Sequence, residues 1–451
     1  MRFLNASDHR WLCIENENNP LQIGGLIFLK CGDHTASEFA SRAQQHLISR
    51  LSATPWPVRY QAAPFNIDSG AWLNIGKVDI NQVTSKWWDA TNPVTIDQLK
   101  SYVCEQVLIP LPRDRPPFRI TFFENLDDSL KPYGDVAMLV QHHHAVADGV
   151  GFQNVLNAIT DDGPIPHPTS ERTARKDRGP IAPIWIAQSL MRARKAKRLD
   201  ESRANVRDTA VTELKALRSD PQFKRQLTPE IPSLDGPSSR ERSFAFVELD
   251  LNHIKSRAKA LGGTVNDLMM TIVGGAFRLH LEEIGELDAL GDSSTIGIMP
   301  RSLRAEADGL YGNYLNMTLP LLGTQIADHA DRFVFVQRSI RNELRRSQLM
   351  HDSTPTYEKP FTARQRLKPE VGTAAGNISV SNVPGPSGPR WFAGYKMNSN
   401  YPTPSLVAGR FMNITLRRYC DSLHLGIMSE PTKLADLDAF VAKIHQVVQE
   451  V

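Results

Sequence analysis

The chain has 451 residues, 41% hydrophobic and 22% charged, an ordinary globular mix that excludes collagen-like, coiled-coil and disordered chains. Its 52 basic residues against 49 acidic ones leave a net charge of +3, too little to mark a nucleic-acid binder. Cys13, Cys31, Cys104 and Cys420 form no CxxC pair and read as reduced thiols. No stretch reaches the ~18 apolar residues of a membrane span. Asp8, Arg10, Glu15 and Glu17 stand where a signal peptide needs its apolar core. The expectation is a cytoplasmic protein with, at most, peripheral membrane contact.

In chain order, Ile23 to Leu29 has the length of a buried strand. Asp135 to Val140 is a near-continuous apolar run, the sign of a strand covered on both faces, and Gly149 to Thr160 looks helical after it. The composition shifts between Gly163 and Arg242. Gly163-Pro164-Ile165-Pro166-His167-Pro168 is too proline-rich for a helix or a central strand. A basic stretch follows, with Arg172, Arg175, Lys176 and Arg178, then Arg192, Arg194, Lys195, Lys197 and Arg198. Ile186, Leu190 and Met191 interleave with it as part of an amphipathic helix. The segment closes on Pro229, Pro232, Gly236 and Pro237 and reads as a long crossover linker. Its charge fits either a solvated face or attraction to anionic lipid headgroups.

Beyond it, Phe244 to Leu249 alternates as a strand should. Thr264 with Asp267 reads as a helix start, a looser capping box, and Val265, Leu268, Met269, Ile272 and Ala276 continue at helical spacing. Ile378 to Ser381 is a short strand stopped by Val383-Pro384-Gly385-Pro386. Phe411 to Leu416 and Ser422 to Met428 look like late strands, and Leu437, Phe440, Val441, Ile444, Val447 and Val448 give a final helix one apolar face. Strands alternating with helices argue an α/β fold of mixed sheets covered by helices. The expected division is 1–163, a linker over 164–242, and 243–451.

His142, His143 and His144 follow the buried strand, with Asp148 and Gly149 just beyond. Three readings are open. Strand alternation would turn His142 and His144 to one face, and with Asp148 they would make the three protein ligands of a catalytic metal if the turn folded back. Alternatively, the histidines sit in a core and Asp148 caps the next helix. The third reading is a general base at a strand end, where ligand crevices of α/β sheets lie. Neutral imidazole, of pKa about 6.5, accepts a proton at pH 7, and such help contributes ~10²–10⁴-fold in rate. A free carboxylate is too weak a base for an alcohol, so Asp148 braces the turn or fixes a neighbouring side chain.

His143-His144-Ala145-Val146-Ala147-Asp148-Gly149 matches the HHxxxDG signature and so resembles the CoA-dependent acyltransferase superfamily. Further blocks choose a branch. Pro110 to Phe118, Thr264 to Met269, Asn377 to Pro386 and Met412 to Thr415 are similar, in that order, to blocks of the bacterial wax ester synthase/diacylglycerol acyltransferases. The opening, from Leu4-Asn5 through Asp8 to Gly24-Gly25, resembles that family's start. The chain departs from the pattern at Gln22, where the family usually has histidine, at Pro117-Phe118, and at Met299 to Arg304. These departures bear on acyl length and acceptor identity.

The resemblance implies two chloramphenicol-acetyltransferase-like domains meeting at a tunnel, with the histidine motif at their interface. It implies His144 as the general base, His143 beside it, Asp148 as chiefly structural, and Gly149 and Asn266 in support. Asn266 would either hold the developing oxyanion or the base, or pack at the start of a helix. The turn from Asn382 to Pro386 reads as scaffold. The implied activity is an O-acyltransferase moving a long-chain acyl group from acyl-CoA to a fatty alcohol or diacylglycerol. Acyl-CoA is a substrate, and no metal or redox cofactor is implied. The implied partner surface is the inner membrane or a lipid droplet. Two rivals are a condensation-type enzyme with an amine or carrier-bound partner, and a non-catalytic lipid-binding relative.

Overall fold

The computed structural model describes residues 1–87, 92–167, 176–220, 226–305, 308–353 and 376–451. Pro168, Arg172 and Arg175, read above as part of the linker, lie outside the described residues. The first half runs β1 (Arg2–Phe3), α1 (Ala6–Ile14), β2 (Gln22–Lys30), α2 (Phe39–Arg50), β3 (Val58–Gln61), β4 (Ala71–Asn74), β5 (Thr84–Lys86), α3 (Ile96–Val107), β6 (Phe118–Phe123), β7 (Val136–His143) and α4 (Gly149–Ile159). Two helices follow, α5 (Ala182–Ser202) and α6 (Ala204–Ser219). The second half runs β8 (Ser243–Asp250), α7 (Leu251–Ala260), α8 (Val265–Glu283), β9 (Gly297–Ser302), β10 (Leu315–Thr318), α9 (His329–Ser353), β11 (Ile378–Val383), β12 (Trp391–Phe392), β13 (Tyr395–Thr403), β14 (Met412–Tyr419), β15 (Ser422–Ser429) and α10 (Leu437–Glu450).

Two six-stranded sheets dominate, in the orders β12-β13-β2-β7-β6-β5 and β10-β9-β11-β14-β15-β8. Both are mixed. In the first, β5 and β6 run parallel while β2, β6 and β7 pair antiparallel. In the second, β11 runs parallel to both β9 and β14. The expected α/β architecture is therefore the one observed.

The apolar run of β7 is buried at every position, and the two faces explain why. Val136, Met138 and Val140 join one cluster with Phe39, Leu47, Val155 and Ile159 from α2 and α4. Ala137 and Leu139 join another with Leu99 and Val103 of α3 and with Phe244, Tyr401 and Met428. The second sheet packs its main core on one face, while Phe244 of β8 and Met428 of β15 reach the α3 cluster from the other. Ile378, Val380, Ile414 and Leu416 lie against Leu268, Ile272 and Phe277 of α8 and Phe440 and Ile444 of α10. At the start of α8 the capping box forms in full. Asp267 N donates to Thr264 Oγ1 at 3.2 Å, and Thr264 N donates back to Asp267 Oδ2 at 2.8 Å.

Strand pairing departs from the division at 163 and 243 in one respect. β12 and β13 come from the second half of the sequence but belong to the first sheet, where β13 pairs with β2 from Lys396↔Lys30 to Thr403↔Gly24. A strand as buried as β2 needs partners for its backbone on both edges, and β13 supplies the second. The span read as a linker with an amphipathic helix in it carries two helices, α5 and α6. Trp185 of α5 is fully buried against Leu73 and Ile67.

Candidate active site

β7 ends at His143, and strand alternation ends with it. His144 already lies in the following turn, where its backbone N donates to Leu21 O at 2.8 Å. The three histidines therefore have three different surroundings. His142 turns into the core, where its Nδ1 accepts from Trp56 Nε1 at 3.2 Å. The Trp56 ring is stacked on Phe118 at 4.4 Å. Burial holds the His142 pKa well below its ordinary value. His144 stands in the turn one residue beyond β7, so strand alternation alone does not set its direction, and Phe152, 5.0 Å from the His142 ring, also lines the cavity that His144 faces.

His143 accepts from Ala145 N at Nδ1 (3.0 Å), so its proton sits on Nε2, 3.4 Å from Glu15 Oε1. Glu15 also pairs with Arg113. Burial alone would push the Glu15 carboxyl up, but His143 and Arg113 together hold it down at about 2. This cluster ties the end of α1 to the sheet and to the Pro110–Phe118 block.

His144 faces a cavity between the two halves. Trp11, Ile23 and Phe152 line it from the first half, and Ile298, Ser381 and Asn413 from the second. The His144 ring is stacked on Trp11, centroids 3.8 Å apart and planes 14° from parallel. Its Nδ1 stands 3.0 Å from Asn313 Oδ1. The orientation of that amide is fixed from behind. Asn313 Nδ2 donates to Asp8 Oδ1 at 2.9 Å and to His144 O at 2.8 Å, and Asn313 N donates to the same Asp8 oxygen at 2.7 Å. Asp8 is fully buried, and its other oxygen accepts from Arg2 Nη1 at 2.9 Å. Every contact to this carboxylate is a donor. Both amide protons of Asn313 are thus spoken for, its Oδ1 must accept, and His144 must carry its proton on Nδ1. Nε2 keeps the lone pair. Burial lowers the His144 pKa to about 4, against the weaker upward pull of hydrogen bonds and of Asp148.

Asp148 is the N-cap of α4. Its Oδ1 accepts from Gly151 N at 2.8 Å and from Arg304 Nη2 at 3.0 Å, and its Oδ2 accepts from Tyr314 N at 3.0 Å. Arg304 Nη2 also donates to Gly312 O at 2.8 Å. Gly312 N donates to Val146 O and Asp148 N to Gly312 O, so the segment carrying Asn313 is clamped onto the motif loop. Gly312 has φ +95° and meets Arg2 where a Cβ would stand, which suits glycine alone. With its carboxylate committed to these donors, Asp148 shares no ligand set with His142 and His144. Gly149 opens α4, and a Cβ there would come within 2.3 Å of Val383 Cγ1. Its hydrogen lets the helix end approach β11.

Asn266, expected in support, is exposed in the first turn of α8. Its Oδ1 accepts from Asn382 Nδ2 at 2.6 Å. Asn382 and Val383 line the cavity, so the turn read as scaffold also forms wall. Gln22 donates to Gln106 O and Ile109 O, anchoring α3. Sequence reasoning missed Asp8, Trp11, Arg304 and Asn313. The signals were faint: an aspartate in the family-like opening, an arginine closing the Met299–Arg304 stretch, and a Gly-Asn turn at 312–313.

The fold is that of the two-domain acyltransferases. The wax ester synthase/diacylglycerol acyltransferase of Marinobacter aquaeolei superposes with a TM-score of 0.66 at 19% identity, over 99% of this chain and 98% of that one. The starter condensation domain of rhizomide synthetase, in complex with C8-CoA, superposes at 0.57 and 12% identity over 99% and 93%. In sequence, the wax ester synthase/diacylglycerol acyltransferase catalytic domain matches residues 4–269 and the C-terminal domain of the same family matches 311–451. The chain belongs to this family of O-acyltransferases. It is 24% identical to the O-acyltransferase WSD of Acinetobacter baylyi over all of this chain and 96% of that protein.

The three donors on Asp148 generate a prediction. Asp148→Asn turns an amide toward groups that need an acceptor and removes the charge facing Arg304, a loss of ~3–5 kcal/mol for a buried pair. The melting temperature should fall clearly, and activity with it. A variant that kept its melting temperature while losing all turnover would take Asp148 out of the bracing role.

Proposed function

We propose that the protein moves a long-chain acyl group from acyl-CoA to a fatty alcohol or diacylglycerol at this cavity, with His144 as the general base. The observation that carries the reading is the fixed tautomer of His144, whose Nε2 lone pair is left for the acceptor hydroxyl. As the alcohol oxygen bonds to the thioester carbonyl carbon, its proton passes to Nε2. The tetrahedral oxyanion then collapses, the C–S bond breaks, and the proton leaves Nε2 for the departing CoA sulfur. The products are the ester and free CoA.

Burial keeps His144 unprotonated in the resting state. The transient imidazolium gains from the Trp11 face and from the Nδ1 hydrogen bond to Asn313, both present before reaction. Asn313 is a positioning residue, with Asp8 and Arg2 behind it. Asn266 acts at one remove, as the acceptor that orients the Asn382 amide on the cavity wall.

We further propose that α5 brings the enzyme to its water-insoluble substrates as a peripheral lipid-surface contact. Among the described residues no helix is long and apolar enough to cross a membrane. Ile184, Met191, Lys195 and Arg198 recur at spacings of three, four and seven on α5, hence on one face, and all four are exposed. Leu199 and Ile181 flank them, also exposed. Arg192 does not belong to this face. It is bound to Asp68 at 2.5 Å and lies 3.4 Å over the Phe3 ring, holding α5 to β1. The basic set for lipid is therefore Arg194, Lys195, Lys197 and Arg198, each worth ~1 kcal/mol near an anionic surface.

Two outcomes follow. His144→Ala should lower turnover of palmitoyl-CoA with hexadecanol by at least ~10²–10⁴-fold in a protein that stays folded. In the wild type, the acid limb of kcat/KM should fall near pH 4 and not near the ordinary ~6.5, because only the neutral ring is active and its pKa is depressed to about 4. Turnover surviving the substitution within a few-fold would sink the assignment. For α5, flotation with anionic liposomes at low salt should recover the protein, and recovery should drop at 1 M salt, where the Debye length shrinks to about 3 Å. Binding that persists when Arg194, Lys195, Lys197 and Arg198 become Gln and Ile184 and Met191 become Ser would return the helix to a solvated face.

A further inference from the structure

One strip of the wall that the second sheet turns to the cavity is polar, beside the apolar Ile298, Leu315, Met317 and Val383. Asn413, Thr415 and Arg417 alternate onto it along β14, and Ser379 and Ser381 join them from β11. Met412, Ile414 and Leu416 take the opposite, apolar face. Arg417 is only 2% exposed. Its Nη1 donates to the neutral amide oxygen of Gln153 at 3.0 Å, and its guanidinium carbon lies 5.1 Å from the Phe152 ring centroid. Its Nε has no hydrogen-bond partner. Among the described residues no carboxylate pairs with it, and burial alone lowers its pKa to about 10.

A buried cation without a counter-charge is costly, and a cavity that received alkyl chains alone would have no use for one. Further orphaned groups belong to β13 of the first sheet. Thr403, 1% exposed, lines the cavity with its Oγ1 unpartnered, and the side-chain amide of Asn400, also 1% exposed, has neither its oxygen nor its nitrogen bonded. Asn400 N donates to His424 Nδ1 at 3.2 Å, and His424 stands opposite Arg417 in the β14–β15 register, on the same face of the sheet.

We propose that Arg417 is the anion-recognition residue of the substrate cavity, receiving a carboxylate or phosphate oxygen of a bound substrate, with Thr403 supplying a neutral hydrogen bond in the same cavity. The anion has two chemical sources, a phosphate of the CoA donor or a carboxylate carried by the acceptor. The inference rests on the reading of the cavity as the acyl-transfer site.

Arg417→Met keeps a long side chain without the charge, and Arg417→Lys keeps the charge. Both are compared with wild type after circular dichroism and melting temperature establish folding. Donors are palmitoyl-CoA against palmitoyl-pantetheine, which lacks the diphosphate bridge and the 3′-phosphoadenosine and so carries no phosphate. Acceptors are hexadecanol against 16-hydroxyhexadecanoate. In Arg417→Met the ratio of kcat/KM between the anion-bearing and neutral member of one pair should drop at least tenfold, with partial recovery in Arg417→Lys. A drop in the donor pair assigns the site to CoA phosphate, and a drop in the acceptor pair to a carboxylate. Calorimetric binding of free CoA and of hexadecanedioate provides a readout independent of turnover. At least one affinity should weaken tenfold or more in Arg417→Met. If wild type transfers no acyl group, the proposed activity fails, while this binding measurement still decides on Arg417. Ratios and affinities that match wild type in a folded Arg417→Met protein would overturn the proposal.

Discussion

The Asp148 carboxylate gathers donors from three separate stretches of chain: Gly151 N at the start of α4, the Arg304 guanidinium beyond β9, and Tyr314 N before β10. A buried carboxylate accepting several strong hydrogen bonds is stable only while all of them are present. The consequence is long-range. The segment from Gly312 to Tyr314 cannot leave the motif loop without stranding Asp148, and that segment delivers Asn313 to His144. One aspartate thus couples the position of the base to the docking of the two halves. A helix cap and an interdomain ion pair are, at this residue, the same interaction.

The proposed base, His144, sits under two opposing constraints. Water must be kept out so that a thioester is not hydrolysed and the electrostatics of the site act at full strength, and the same dryness disfavours the imidazolium that the reaction passes through. Burial wins in the resting enzyme, taking the ring to about 4. In the proposed mechanism the stacked Trp11 and the Arg2–Asp8–Asn313 chain reduce the cost at the moment of proton transfer. Asp8 is held away from the ring by a whole amide, so its charge orients Asn313 without the carboxylate itself competing for the proton. Burial pushes the Asp8 pKa up, while Arg2 and Asn313 pull the other way, which ties the polarity of the chain to the N-terminal strand.

What could be read from the sequence is what neighbouring residues carry together. The continuous apolar run became β7, the capping residues Thr264 and Asp267 became the start of α8, and the stripe from Leu437 to Val448 became α10. The motif histidines were legible because they are contiguous. β13 was not, because its membership of the first sheet depends on β2 having an edge to fill some 370 residues earlier, and no local period encodes a partner. Strand alternation reaches only as far as His143, so the direction of His144, in the turn beyond, was not set by the strand period. Asn313, Asp8 and Arg304 act through contacts between sequence-distant segments, so their types alone could not announce them. Asn266, by contrast, carried a family-like motif yet stands one hydrogen bond behind the cavity wall.

Each half turns both apolar and polar groups toward the cavity. The first half contributes Trp11, Ile14, Ile23 and Phe152 from α1, β2 and α4, with Ser7 and Arg10 of α1 beside them. The second contributes Ser379, Ser381, Asn413 and Thr415 from the face opposite its main apolar core, together with Ile298, Leu315 and Met317. A flexible alkyl chain and a polar pantetheine arm have opposite solvation needs. A cavity of uniform polarity would bind one only by dehydrating the other unpaired. With both kinds of group on the walls, both can be matched at once. Such a mixed lining requires two halves that stay docked, which returns the demand on the site to the buried carboxylate that docks them.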